Sequence, residues 1–396
     1  MNAPGHVLVV GASAAGLGTA EALRRQGYQG RITMLGAESR LPYDRPPLSK
    51  QVLSGAWEPE RAQLRSREVL DALDAEFLLG DAAVALDVPT RTVRTASGSA
   101  LSADAVVVAT GLQARTLPGQ EALRGVHVLR TLEDAVALRN DLLGGSRVVV
   151  AGNGVLGAEI AATARQLGRD VTLVGPQPAP MAGQLGPRVA GLLAELHTRN
   201  GVRLMNGTAV TGLTSSRGRV NGVLLPNRET LPADVVVVAI GCTPATAWLA
   251  GSGLRLDDGV MCDANCRAAE GIYAVGDVAR WHHETLGTSL RLENRTSAVE
   301  QTAVVAANIL GACRTYAPVP YFWTDQFDTK IQVYGTPSAD ATVTVVEGSE
   351  QDHRFAARYS LAGRPTAVLG WNMPKQARLH RQVLVDADTR ATVPSR

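Results

Sequence analysis

Two segments of this chain repeat one pattern of strand, glycine-rich turn, helix and strand, and this repeat constrains the fold more than any other feature. The first copy, from residue 6 onward, reads HVLVV, GASAAG, LGTAEALRRQG and RITMLG. The second, from residue 147 onward, reads RVVVAG, GNGVLG, AEIAATARQLG and DVTLVG. The glycines of such a turn allow a pyrophosphate to approach the N-terminus of the following helix, whose backbone N–H groups attract it. Two copies therefore predict two dinucleotide-binding domains in one chain.

Three further apolar strands and a change of pattern near the C-terminus complete the predicted fold. DAVVVATG and DVVVVAIG end at Gly111 and Gly241, and GIYAVGD ends at Gly276 and Asp277. From about residue 313, alternating stretches such as KIQVYG, TVTVVEG and FAARYSL indicate an antiparallel sheet. We therefore expect an α/β fold with two Rossmann-like domains and a third, C-terminal α+β domain.

Composition argues against several classes of function. The 39 basic and 37 acidic side chains nearly balance, whereas a nucleic-acid-binding protein usually has a basic excess. No apolar run reaches the roughly 20 residues of a membrane-spanning helix. The N-terminus, MNAPGHVLVVGAS, lacks the pattern of a signal peptide, so we expect a cytoplasmic protein that binds neither nucleic acid nor membrane. The four cysteines form no CxxC pair and lack the spacing of a metal site, which predicts reduced thiols and no bound metal.

The first turn and the loop after it carry candidate ligands for a dinucleotide. Ser13 replaces the middle glycine of GxGxxG, and its small side chain still permits a phosphate to approach. Glu38 is the acid nearest the end of the next strand, where a carboxylate binds ribose hydroxyls; a solvated loop glutamate is the alternative. The loop LPYDRPPLSK then presents Arg45 and Lys50, cations that can balance a pyrophosphate or a reduced flavin.

Further motifs extend over almost the whole chain. GASAAG and LPYDRPPLSK are followed by VVVATG, LRTLEDA, GNGVLGAE, IYAVGDVARW, RLEN, AVEQ and YFWTDQFDTKIQVYG. Together they resemble the oxygenase-coupled, FAD-dependent ferredoxin reductases, the family of putidaredoxin reductase and of the reductase components of biphenyl-type dioxygenases. The resemblance implies a glutathione-reductase-like fold. It implies an FAD domain of residues 1–113 and 235–312, an NAD(P)H domain of residues 114–234, and an α+β domain of residues 313–396.

By this resemblance, the first turn, the loop after it and several strand ends hold FAD. Asp277 matches the aspartate that accepts hydrogen bonds from the ribityl chain. Asn294 and Arg295 stand where the family commonly has His-Trp, so an aromatic contact with the flavin is lost or replaced. The residues expected to contact FAD are Gly11, Ser13, Ala14, Ala15, Gly16, Glu38, Arg45, Lys50, Val84, Ala109, Thr110, Gly111, Arg130, Gly241, Gly276, Asp277, Asn294, Arg295 and Trp323.

The second turn is a complete GxGxxG, and in the family this turn holds NAD(P)H. Glu159 matches a glutamate near the nicotinamide and is expected to pair with Lys50 across the two domains; a helix-surface glutamate is the alternative. The next strand ends at Gly175, where NADH-preferring members usually carry an acid, and the PQPAP after it offers no arginine for a 2′-phosphate. The choice between NADH and NADPH stays open, and the family favours NADH. The residues expected here are Gly152, Gly154, Val155, Leu156, Gly157 and Glu159.

The resemblance implies an enzyme in which NAD(P)H reduces FAD and FAD reduces an iron–sulfur ferredoxin one electron at a time. The expected catalytic residues are Lys50, which stabilises the reduced flavin, Glu159, and Trp323, which lies near the flavin edge towards ferredoxin. A core aromatic is the alternative for Trp323. Ferredoxins are typically acidic, which predicts docking on a basic surface near the flavin edge. The candidates are Arg65, Arg295 and Lys330, with solvated surface charges as the alternative.

Two other functions occur on this fold. An NADH oxidase or a disulfide reductase uses a redox cysteine near the flavin, whereas LPY occupies the early loop here and no CxxC is present. A flavoprotein resembling apoptosis-inducing factor would act through a partner without catalysis, and long insertions or targeting segments would mark it. The sequence favours the ferredoxin reductase over both.

Overall fold

The computed structural model describes residues 3–386, which form two compact units. The first unit combines the N-terminal segment up to Asp44 with Gln63–Gln113 and Thr243–Pro318. The second unit combines Arg45–Ala62, Ala114–Cys242 and the segment that starts at Val319. The two glycine-rich turns therefore lie in different units.

A six-stranded sheet forms the centre of the first unit. In sheet order its strands are Arg267–Ala269, Ile272–Ala274, Ala105–Val108, His6–Val10, Arg31–Gly36 and Glu76–Leu79. His6–Val10 runs parallel to both of its neighbours, and Val7, Leu8 and Val9 in it are completely buried. Such continuous burial explains why this strand reads as an unbroken apolar run. The helices described in this unit are Ala14–Arg25, Arg67–Asp71 and Arg295–Ile309.

Shorter elements complete the first unit. One three-stranded sheet consists of Ala83–Asp87, Thr92–Thr95 and Ala100–Ser102, and another of Val260–Cys262, Ala279–His283 and Thr288–Leu290. Short 3-10 turns lie at Ala247–Leu249 and Gly276–Val278. The chain passes from one unit to the other within the strands Leu112–Ala114 and Cys242–Pro244.

The second unit contains a five-stranded parallel sheet. In sheet order its strands are Arg203–Asn206, Asp170–Gly175, Arg147–Ala151, Val235–Val238 and Val126–His127. A smaller sheet consists of Gly212–Ser216, Arg219–Leu224 and Thr230–Pro232. The helices and 3-10 turns that accompany these sheets are Pro46–Ser49, Gln51–Ser54, Pro59–Ala62, Gln120–Ala122, Leu132–Gly144, Val155–Gln166 and Ala182–Arg199.

The C-terminal part of the second unit is an antiparallel sheet followed by a helix. The strand order is Tyr321–Gln326, Thr329–Gly335, Arg364–Trp371, Arg354–Leu361 and Thr342–Ser349, and the helix is Pro374–His380. Apolar side chains of this sheet, such as Phe355 and Leu369, share one core with Leu185 and Val189 of the helix Ala182–Arg199. This sheet is therefore anchored on the same unit that contains the second turn.

The predicted fold class is confirmed: two units built on a parallel strand–turn–helix repeat, with an antiparallel α+β segment at the C-terminus. The segment Arg45–Ala62 was expected in the FAD domain, but it belongs to the unit that contains the second glycine-rich turn. The three domain boundaries stay a prediction. Across residues 3–386, no helix combines the length and hydropathy that crossing a lipid bilayer requires.

Candidate active site

The two glycine-rich turns have the same geometry. Gly11 has φ +117°, and a Cβ there would lie 2.2 Å from the Ala109 carbonyl oxygen. Gly152 has φ +112°, and a Cβ there would lie 2.1 Å from the carbonyl oxygen of Ala239. In both turns the backbone approaches the neighbouring strand end so closely that only glycine fits.

The helix that follows each turn begins with the same close packing. A Cβ on Gly16 would lie 1.8 Å from the Gly11 carbonyl oxygen, and one on Gly157 would lie 1.8 Å from that of Gly152. Ser13 and Gly154 are the N-cap residues of these two helices. Within the described residues, no N-cap side chain accepts a hydrogen bond from the first backbone N–H groups of either helix. The backbone N–H groups at the start of each helix, at Ala14–Ala15 and at Val155–Leu156, can therefore donate hydrogen bonds to a pyrophosphate.

Glu38 and Thr110 follow the carboxyl ends of strands in the first unit, whereas Val84 lies at the beginning of the strand Ala83–Asp87. Glu38 is half-buried and accepts a hydrogen bond from the Tyr43 hydroxyl, so its carboxylate is held in place. Thr110 donates to the Ala245 carbonyl oxygen over 2.8 Å. Val84 is an apolar side chain that is 49% exposed. Their predicted contacts with FAD stay predictions, and the exposed face of Val84 is of the kind an adenine ring covers.

Gln301 is a buried residue of this region that the sequence did not single out. Its Oε1 accepts from the Gly276 backbone N–H over 2.8 Å, and its Nε2 donates to the Cys266 sulfur over 3.1 Å. It therefore fixes the backbone next to Asp277, which is half-buried in the turn Gly276–Val278. The motif AVEQ, which ends at Gln301, carries the sequence signal for this residue.

Asn294 and Arg295 have partners within the protein. Asn294 is the N-cap of the helix Arg295–Ile309 and accepts from the Ser297 backbone N–H over 2.7 Å. Arg295 forms an ion pair of 2.5 Å with Asp44. The predicted contacts of Asn294 and Arg295 with the flavin remain predictions.

In the second unit, Lys50 and Glu159 form the predicted ion pair. Lys50 Nζ lies 2.8 Å from Glu159 Oε2, with 14% of the lysine and 7% of the glutamate side chain exposed. Ser49 donates to the same carboxylate oxygen over 2.6 Å, and Thr324 donates to Oε1 over 2.8 Å. Glu159 is thus a buried carboxylate with three side-chain donors, and not a solvated residue on a helix surface. Both partners of the pair lie in one unit.

A chain of hydrogen bonds leads from Glu159 into the interior. Gln326 Nε2 donates to Thr324 Oγ1 over 3.0 Å, and His197 Nε2 donates to Gln326 Oε1 over 2.7 Å. His197 is completely buried, and burial lowers its pKa, so the ring is neutral. Every donor in this chain of hydrogen bonds points towards Glu159.

Trp323 lies on the other face of its strand. Side chains alternate along Tyr321–Gln326, where Thr324 and Gln326 are buried and Trp323 is half-buried. Trp323 stacks on Tyr321 with a ring separation of 6.0 Å. Adjacent residues of this strand therefore serve opposite faces, one towards Glu159 and one away from it.

The other predicted residues of the second unit lie beside the ends of helices and strands. Arg45 donates to the Arg130 carbonyl oxygen over 2.6 Å, and Arg130 N–H in turn donates to Asp134 over 2.9 Å. Gly241 has φ +98°, and among the described residues no heavy atom outside its chain neighbours lies within 4 Å of a Cβ placed there. Such open space at a strand end permits a ligand to approach the backbone.

The basic candidates for partner docking are each paired with an acid. Arg65 lies 2.7 Å from Glu21, and Lys330 lies 3.8 Å from Asp325. Because Arg295 is also paired, the local positive charge of all three is partly balanced. The basic docking surface stays a prediction.

The cysteines of this region are poor nucleophiles. Cys262 and Cys266 are buried, and burial raises the pKa of Cys266 to about 12 and that of Cys262 well above its usual range. A thiolate is the reactive form in disulfide chemistry. Neither thiol is therefore suited to a redox cycle near neutral pH.

Comparison with known proteins identifies the family of this chain. The model for pyridine nucleotide-disulphide oxidoreductases matches residues 5–304, and the model named reductase C-terminal matches residues 321–393. Rhodocoxin reductase of Rhodococcus erythropolis is 34% identical over 380 residues, which covers 96% of this chain and 89% of the relative.

Two further relatives extend the comparison. The ferredoxin–NAD(+) reductase component of the anthranilate 1,2-dioxygenase system of Burkholderia cepacia is 39% identical over 344 residues, covering 86% of this chain and 84% of the relative. A structure of the covalent complex of putidaredoxin reductase with putidaredoxin matches with a TM-score of 0.92 at 32% identity, covering 98% of this chain and 94% of that chain. The chain belongs to the pyridine nucleotide-disulphide oxidoreductase family.

Proposed function

We propose that this chain is an FAD-dependent ferredoxin reductase, which takes electrons from NAD(P)H and passes them to the iron–sulfur ferredoxin of an oxygenase system. The observation that carries the proposal is the pair of glycine-rich turns with equal geometry, one in each unit. Two relatives that match 86% and 97% of this chain are named as ferredoxin reductases. Enzymes of this kind need two dinucleotide sites, one for the donor and one for the flavin.

The residues of the first turn fit FAD. The N–H groups that follow Ser13 suit a pyrophosphate, and Glu38 is a carboxylate beyond the second strand, in the region where ribose hydroxyls are bound. Asp277, held by the backbone that Gln301 fixes, suits the polyol of the ribityl chain. When bound, FAD supplies an acceptor for hydride and a donor of single electrons.

Lys50 and Glu159 prepare the charge of the site. Lys50 provides a compact cation that balances negative charge on a reduced cofactor. Glu159 holds the lysine ammonium, while Ser49 and Thr324 hold the glutamate. The side chains of Ser49 and Lys50 are thus both bonded to Glu159, which lowers the reorganisation of this loop that the reaction needs.

Trp323 and the three basic docking candidates are the residues proposed to act in electron transfer to ferredoxin. We propose that Trp323 lies near the flavin edge towards the ferredoxin, because it is a half-buried aromatic side chain on the strand that also carries Thr324, a partner of Glu159. Docking would use Arg65, Arg295 and Lys330, whose acid partners would exchange for carboxylates of an acidic ferredoxin. The proposal includes a cytoplasmic location, where free cysteines such as those of this chain stay reduced.

The proposal is tested with the purified protein. We expect a yellow preparation in which NAD(P)H reduces ferricyanide directly, and reduces cytochrome c only after a two-iron ferredoxin is added. Absence of flavin after purification and reconstitution contradicts the proposal. Rapid oxygen consumption without stimulation by ferredoxin would indicate an oxidase, and a flavoprotein without turnover would indicate a binding protein.

A further inference from the structure

The rim of the second dinucleotide site is electrically neutral. No charged residue occurs between Asp170 and Arg188, a stretch that contains the strand end and the loop after it. In this kind of fold, the group at that strand end contacts the 2′ position of the adenosine ribose: a carboxylate for NADH, or an arginine nearby for NADPH. This stretch therefore offers only uncharged groups for that contact.

Asn153 fills the space that an acidic side chain at position 175 would need. A Cβ on Gly175 would lie 2.0 Å from Asn153 Oδ1 and 2.6 Å from Asn153 Cβ. Asn153 is 1% exposed and cannot move aside without losing its hydrogen bonds. The Asn153 side chain therefore requires a glycine at position 175.

Asn153 in turn holds the backbone of Gln177. Its Nδ2 donates to the Gln177 carbonyl oxygen over 3.0 Å and to Asn206 Oδ1 over 3.3 Å. Its Oδ1 accepts from the Gln177 N–H over 3.3 Å. Two hydrogen bonds to one residue fix where the Gln177 side chain begins.

The Gln177 amide is oriented towards the glycine-rich turn. Its Oε1 accepts from the Gly183 backbone N–H over 2.7 Å. Its Nε2 lies 4.0 Å from the position that a Cβ on Gly154 would take. The amide oxygen thus accepts from the protein backbone, while the amide nitrogen, which carries two N–H donors, lies beside the second glycine-rich turn.

We propose that Gln177 contacts the 2′ position of the adenosine ribose and that, as a neutral donor, it admits both NADH and NADPH. The inference rests on the proposed function of this turn as the NAD(P)H site. An amide N–H can donate either to a ribose hydroxyl oxygen or to a phosphate oxygen. A carboxylate, by contrast, would repel the phosphate.

The test is the ratio of kcat/KM for NADH to that for NADPH, with ferricyanide as acceptor. We expect the wild-type ratio to lie within about tenfold of unity, which corresponds to less than one hydrogen bond to a charged group. Gln177→Glu should raise the ratio about tenfold or more, because its carboxylate repels a 2′-phosphate, and Gln177→Arg should lower it by a similar factor. Gln177→Ala should weaken both dinucleotides and leave the ratio near the wild-type value.

Gln166→Glu is the matched control, since it makes the same charge change at an exposed position at the far end of the helix Val155–Gln166. A wild-type ratio beyond a hundredfold in either direction, or shifts in the Gln177 variants no larger than in this control, overturns the inference. Bound flavin in each variant shows that it is folded. If the wild type lacks flavin or oxidises neither dinucleotide, the proposed function fails; an active reductase with an unresponsive ratio contradicts the role of Gln177 alone.

Discussion

Thr324 donates its hydroxyl hydrogen to the buried carboxylate of Glu159 over 2.8 Å, although 165 positions separate the two residues in the chain. The strand that carries Thr324 belongs to the C-terminal antiparallel sheet, and the helix that carries Glu159 follows the second glycine-rich turn. The C-terminal segment therefore completes the surroundings of the Lys50–Glu159 pair. This contact gives the antiparallel sheet a part in the site in addition to its own packing.

Thr324→Val should destabilise the protein and slow flavin reduction. The substitution preserves shape and removes a hydrogen bond to a charged acceptor, a loss of about 1.5–3 kcal/mol in unfolding free energy. Urea unfolding measures the stability, and stopped-flow absorbance measures the rate at which NAD(P)H reduces the flavin. Thr324→Ser keeps the hydroxyl and should retain most of both. Equal behaviour of the valine and serine variants would show that the hydroxyl has no role.

Lys50→Met and Glu159→Gln should each cost more alone than in combination. Removing one partner leaves a buried charge without compensation, at a cost of about 3–5 kcal/mol for a buried pair, whereas the double variant buries no unpaired charge. A double-mutant cycle of unfolding free energies measures the coupling. Additive effects would mean that the ion pair contributes nothing. Flavin reduction should stay slow in the double variant, because the cation is still missing.

Stability should fall as the pH drops below about 6.5, in part through His197. Burial lowers the pKa of His197 in the folded protein, so below the ordinary value of histidine the unfolded chain binds more protons than the folded one. This contribution is complete above pH 6.5 and is lost as the pH falls towards the folded pKa. His197→Gln keeps an amide donor and cannot titrate. The urea midpoint of the wild type should therefore decline more steeply between pH 8 and 5 than that of the variant; parallel curves would contradict this.

The turns were predictable from sequence because they depend on local pattern, whereas the ion pair, which joins residues 109 positions apart, was predictable only through the family resemblance. Gly11 and Gly152 each occupy a backbone position that excludes any Cβ, and such a requirement leaves a direct trace in the residue type. Lys50 and Glu159 were found through motifs that resemble a family. The fold class followed from strand periodicity, which is set by which faces are buried.

The supporting residues were not predictable, because their partners are distant in the chain. His197 contacts Gln326 across 129 positions, and nothing in the helix Ala182–Arg199 marks one of its polar residues as buried. The acid partners of Arg65 and Arg295 were missed for the same reason. Such contacts arise from tertiary packing, which neither propensity nor spacing records.

Gly175→Ala should destabilise the protein, and Asn153→Gly should relieve the effect. The added methyl group meets the Asn153 side chain within 2.0 Å, and overpacking of this kind costs about 1–3 kcal/mol. In the Asn153→Gly background the obstacle is absent, so the alanine should cost less than half as much. Thermal or urea unfolding of the four proteins in this cycle gives the coupling. The same cost in both backgrounds would show that the two positions are independent.

Arg65→Gln should weaken the reaction with ferredoxin while leaving the ferricyanide reaction unchanged. Arg65 is partly exposed and paired with Glu21, so its loss removes a cation that an acidic partner would use. Mutation of a single charge at the rim of an interface acts mainly on the association rate, and we expect a decrease of about two- to fivefold in kcat/KM for ferredoxin at low salt. Glu21→Gln is the matched control with the opposite sign, because it leaves Arg65 without its local acid and should raise the same constant. Both effects should shrink at high ionic strength, where exposed charges are screened. If kcat/KM for ferredoxin changed in the same direction in both variants, Arg65 would not be part of the docking surface.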